Sequence, residues 1–83
     1  MVKILLVKDN EMKRDMLSRW LKSKGYEVFI AVDGQEGVNM ATSESTSVIL
    51  LDMSLPIMDG WEASCHLKAN TDTKGIPILR LSA

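Results

Sequence analysis

Eighty-three residues with ten Lys+Arg, eleven Asp+Glu and one His carry a formal charge of −1, and 46% of them are hydrophobic. Those proportions describe one small globular domain over residues 1–83 and exclude a disordered tail, a second domain or a large enzyme's cleft. The near-neutral balance argues against direct nucleic-acid binding, and no apolar run reaches the ~18 residues of a membrane span.

In chain order, Lys3–Val7 is a short apolar run of the kind expected for a strand buried on both faces. It runs into Lys8-Asp9-Asn10, which is no signal peptide. Asn10 stands where an N-cap would, and the apolar positions 12, 16, 17, 20 and 21 form a helical stripe that Gly25 ends. Glu27–Ala31 is β-prone. Asp33 with Glu36 reads as a capping pair opening a second helix to about Thr42. After a polar turn at 43–47, Val48–Leu51 is a strand ending at Asp52. Loop 53–59 holds Pro56, and Asp59 with Glu62 repeats the capping pair for a third helix to about Ala69. Residues 70–75 are loop, and Pro77–Leu81 is a fourth strand before Ser82 and Ala83.

The order βαβαβαβ requires right-handed crossovers and a parallel sheet, so the expected fold is an open α/β domain. Residues 1–24 hold seven bases and three acids, the rest three bases and eight acids. Without aromatic interleaving, the basic stretch reads as a solvated helix face. Cys65 is the one cysteine and cannot form an internal disulfide, which points to a reducing cytoplasm. His66 has no second ligand at metal spacing. Met12, Met16, Met40, Met53 and Met58 are expected in core or loop packing.

Ligands of open parallel sheets bind beyond the carboxyl ends of the strands, where the strand order reverses. Asp9, Asp52 and Ser82 follow the first, third and fourth strands. Two carboxylates gathered there would make a hard oxygen site suited to Mg²⁺, and one of them could act as a nucleophile toward a phosphoryl group.

These residues, with Ile4-Leu5-Leu6-Val7-Lys8-Asp9-Asn10, the Asp-x-x-x-Pro-x-x-Asp-Gly stretch at 52–60 and Pro77–Ala83, resemble the receiver domain of bacterial response regulators. The resemblance implies a flavodoxin-like sheet of order 2-1-3-4 and a role in two-component phosphorelay signalling. It makes Asp52 the phosphoacceptor and Ser82 the switch hydroxyl. It makes Asp9, Asp52 and the backbone carbonyl of Ser54 the Mg²⁺ ligands, and a histidine kinase or phosphotransfer protein the partner. No enzyme activity is implied beyond promotion of the domain's own aspartyl phosphorylation.

Three departures qualify that expectation. Lys8 stands where the family carries a second acid. Two unit charges ~5 Å apart interact by ~3 kcal/mol at an effective dielectric of ~20, and a divalent ion doubles this. Mg²⁺-dependent phosphorylation is therefore expected to be weakened or abolished, unless the Lys8 stem swings its ammonium into water. Alternatively Lys8 pairs with Asp52 or Asp9 and fills the metal's place. Second, the family fold continues past the fourth strand with a helix, a fifth strand and a last helix, about 40 residues. The expectation is thus a truncated receiver that buries its uncovered surface in a homodimer or larger assembly, with Trp20 and Trp61 as candidate anchors. Third, Arg80 lies within the fourth strand, where a charge suits a sheet edge. The alternative function is an interaction module that works without phosphorylation.

Overall fold

The computed structural model describes residues 1–81. Four strands and three helices alternate within them: β1 (Lys3–Val7), α1 (Glu11–Ser23), β2 (Glu27–Ala31), α2 (Gly34–Glu44), β3 (Val48–Asp52), α3 (Gly60–Ala69) and β4 (Ile78–Leu81). All strand pairs are parallel, and the sheet order is β2-β1-β3-β4. The order reverses between β1 and β3, whose carboxyl ends therefore lie side by side.

Each helix starts where a short polar side chain captures a free backbone amide three residues on. Asn10 accepts from the Lys13 N–H at 2.9 Å, Asp33 from Glu36 at 2.8 Å and Asp59 from Glu62 at 2.9 Å. Glu36 reaches back to the Val32 N–H at 3.3 Å, which strengthens the second start. Gly25 follows the C-cap of α1 with φ of 91°, a left-handed conformation that costs glycine little.

Alternation along β1 and β3 divides the core in two. Leu5, Val7, Ile49 and Leu51 pack with Ala41 of α2 and Ala63 and Leu67 of α3. Ile4, Leu6 and Leu50 pack on the other face with Leu21 of α1. The side-chain period of two sends successive residues of one strand to opposite layers, so a continuous apolar run is needed where both layers exist.

The apolar stripe of α1 departs from expectation. Leu21 is buried and Leu17 partly so, but Met12, Met16 and Trp20 are 74%, 67% and 57% exposed. The inward face is completed by Ser18, a small side chain that lets the helix sit close to the sheet. Met58 is in the core, as expected, and Met40 and Met53 pack against it. Thr73, a buried residue the sequence did not single out, donates its hydroxyl to the Leu67 carbonyl at 2.6 Å and ties the α3–β4 loop to the helix.

Candidate functional site: a buried lysine–aspartate pair at the strand ends

Asp52 closes β3, opposite Leu81 of β4 in register. Its side chain is directed into the fold's interior, with 3% of the residue exposed. Both carboxylate oxygens are engaged: Oδ1 accepts from the Ser54 N–H at 3.0 Å and Oδ2 from the Lys8 ammonium at 3.3 Å. Lys8, the first residue past β1, is 8% exposed. Of the open possibilities for its side chain, the one realised is the pair with Asp52, within the fold and not out in water.

The backbone around Lys8 is held at several points. Its N–H donates to the Ala31 carbonyl at 3.1 Å, extending the β1–β2 ladder by one residue. One guanidinium nitrogen of Arg14 donates to the carbonyls of Lys8 and Asp9, both at 3.2 Å. By sequence alone Arg14 belongs to the solvated basic face of the first helix. What sets it apart is its position, on the first turns of α1 beside the strand end.

Loop 53–59 closes the opposite wall. The Met53 N–H reaches the Leu81 carbonyl at 3.3 Å, and the Gly60 N–H returns to the Met53 carbonyl at 3.3 Å. A side chain at Gly60 would approach the Met53 Cα to 2.5 Å and the Asp52 carbonyl oxygen to 2.6 Å, so the loop can close this tightly only over glycine. Ile57, in the same loop, has φ of 66° and is 84% exposed.

The other expected site residues among those described lie nearby in the chain or at the adjoining strand. Asp9 and Ser54 are exposed, and Ser54 contributes its N–H to Asp52. Ser82 lies outside the described residues. Arg80 is exposed on β4, with its guanidinium 4.7 Å from the centroid of the Trp61 ring. The charge on this strand is thus accommodated by stacking on an aromatic face.

Residues 4–83 match the model of the response regulator receiver domain. The chain belongs to the response-regulator receiver family. The receiver shares 38% identity over 82 residues with the response regulator MprA of Mycobacterium tuberculosis, covering 99% of this chain and 35% of that protein. It shares 33% over 82 residues with the transcriptional regulatory protein HprR of Escherichia coli, again covering 99% and 35%. The chain therefore spans about a third of the length of these curated relatives. Among solved structures, the N-terminal domain of a response regulator receiver protein from Methanoculleus marisnigri matches with a TM-score of 0.96 at 32% identity, over 100% of this chain and 68% of that one. The receiver domain of the sensor histidine kinase PA1611 from Pseudomonas aeruginosa, solved with a magnesium ion coordinated in its active site cleft, matches at 0.95 and 34%, over 99% and 67%. These neighbours bear out the flavodoxin-like sheet with order 2-1-3-4.

Magnesium is the family's expected ion, so the donor set here can be tested against it. Mg²⁺ requires near-octahedral oxygen ligation anchored on carboxylates. Among the described residues no three His, Cys, Asp or Glu side chains gather as a metal site. One oxygen of Asp52 already carries an ammonium and the other an amide proton, and Asp9 is exposed. At ~5 Å from the ammonium a divalent ion would meet a repulsion of about 7 kcal/mol at an effective dielectric of ~20. The residues of this site do not fit a divalent ion in the arrangement they adopt.

Proposed function

We propose that the receiver takes part in two-component signalling with Asp52 as the phosphoacceptor position, and that its Mg²⁺-dependent phosphorylation is impaired by Lys8. The single observation that supports this is the buried 3.3 Å contact of the Lys8 ammonium with Asp52 Oδ2, at the strand-order reversal. In the reaction, a carboxylate oxygen of Asp52 forms a bond to phosphorus. The bond from phosphorus to the donor breaks, and the donor leaves with the electron pair, as an imidazole from a histidine kinase or phosphotransfer protein or as acetate from acetyl phosphate. An oxygen that already accepts from an ammonium is a poorer nucleophile, and the Lys8 contact must be surrendered before that oxygen reacts. Ser82 is the hydroxyl proposed to meet the phosphoryl group, and Asp9 and the Ser54 carbonyl are the remaining positions the family uses.

The test is incubation with acetyl phosphate and Mg²⁺ followed by intact mass. Little or no phosphate adduct is expected for the wild type, and an adduct for Lys8→Glu that disappears in Lys8→Glu/Asp52→Ala. A full adduct on the wild type would remove the impairment, and no adduct in either would remove Asp52 from the acceptor role.

A second reading, an interaction module that self-associates without phosphorylation, is supported by the exposure of Met12, Met16 and Trp20 on α1 and of Leu79, 57% exposed on β4. Light scattering on a size-exclusion column decides it: a monomer at micromolar concentration rules it out.

A further inference from the structure

Lys8 and Asp52 lie 44 residues apart, and their side chains are 10% and 4% exposed. An ammonium on a flexible four-carbon stem gains nothing by entering such a pocket unless its backbone is held and a carboxylate meets it. Both conditions are met. The Ala31 carbonyl accepts the Lys8 N–H, and the Arg14 guanidinium donates to the carbonyls of Lys8 and Asp9. The formal charges of Lys8, Arg14, Asp9 and Asp52 cancel, so this end of the sheet exerts no net attraction on a divalent ion, whereas an acid at position 8 would leave two uncompensated negative charges.

We infer that the Lys8 ammonium is the resident cation of this site, a charge tethered to the end of β1 that holds Asp52 where a divalent ion would otherwise be needed, and that Arg14 is the residue positioning it. The inference rests on reading this pocket as the receiver's acceptor site, but its test needs no phosphoryl group. A tethered cation is present at one per chain, is indifferent to chelators and leaves only when the side chain swings out. The state of the Asp52 carboxylate then depends on Lys8 and not on the supply of Mg²⁺.

Mn²⁺ broadening of ¹⁵N-labelled amides and thermal melts in Mg²⁺ test this on the full 83-residue chain. In the wild type, Mn²⁺ should leave the Met53 and Ser54 amides no more broadened than Asn70, remote in sequence and exposed, and millimolar Mg²⁺ should leave Tm unchanged. In Lys8→Glu, Met53 and Ser54 should broaden selectively, and Mg²⁺ should raise Tm by about 5 °C. Lys8→Met serves as a second variant should two adjacent carboxylates prevent folding without metal, and the same selective broadening is expected of it. Arg14→Ala should gain part of this Mn²⁺ response, and Arg14→Lys, which keeps a donor, less; a merely structural role for Arg14 would move Tm without moving the broadening. Selective broadening of the wild type, or none in either Lys8 variant, overturns the proposal. Failure of the acceptor reading shows separately, as the absence of any phosphate adduct while these metal readouts stand.

Discussion

A buried ammonium and carboxylate stabilise a protein only together. Removing one partner leaves a charge without compensation, at a cost of about 3–5 kcal/mol, whereas replacing both by neutral groups of similar size is close to neutral or favourable. Lys8→Met should therefore lower the unfolding free energy by about 3 kcal/mol, since Asp52 retains only the Ser54 amide. Lys8→Met/Asp52→Asn should return to within about 1 kcal/mol of the wild type, and urea denaturation of the single and double variants reads the difference as a coupling energy. A second residue-scale effect lies at Ile57. A β-branched side chain at φ of 66° is sterically disfavoured, and at 84% exposure it recovers little by packing. Ile57→Gly relieves roughly 1–2 kcal/mol of strain and adds roughly 0.5–1 kcal/mol of unfolded-state entropy, so a net stabilisation of up to about 1.5 kcal/mol is expected in the same assay.

At the scale of elements, the site depends on how closely loops and helices approach the strand ends. Gly60 opens α3 against the backbone of Asp52 and Met53, and no rotamer can relieve a Cβ placed there. Gly60→Ala should cost about 1–3 kcal/mol through displacement of this loop, and it should shift the Ser54 amide resonance because the Asp52–Ser54 contact moves with the loop. Asp33→Ala, which removes a cap from α2 at the far side of the same loop, should cost about 1 kcal/mol and lower Tm by roughly 4–8 °C without that resonance shift. The contrast separates a helix start that serves stability from one that also shapes the site.

For the whole molecule, the sheet is unequally covered. α2 and α3 share one face, and α1 covers the other, where Leu79 of β4 is left 57% exposed. Apolar surface of this kind drives association when enough of it is contiguous. If self-association occurs through it, Leu79→Lys should abolish a concentration-dependent rise in mass on light scattering, with a change in stability within about 0.5 kcal/mol because the residue is exposed.

The order of elements, the three helix starts and the parallel sheet were legible from sequence alone because their causes are local. A capping side chain reaches an amide three residues away, and strand and helix periods are written in consecutive positions. The family was legible for a related reason: the motif at 52–60 is a contiguous loop whose shape depends on its own residues. The partner of Lys8 was not, because Lys8 could reach water, Asp9 or Asp52, and the choice was made by the packing of β1 against β3 and by the hold of Arg14 on the turn. Nor was the outward direction of Met12, Met16 and Trp20, since an apolar stripe on a helix does not say how much of it the sheet can cover. Ten bases against eleven acids looked like neutrality spread over a surface; tertiary structure concentrated one opposing pair into the interior, where a low dielectric makes it count.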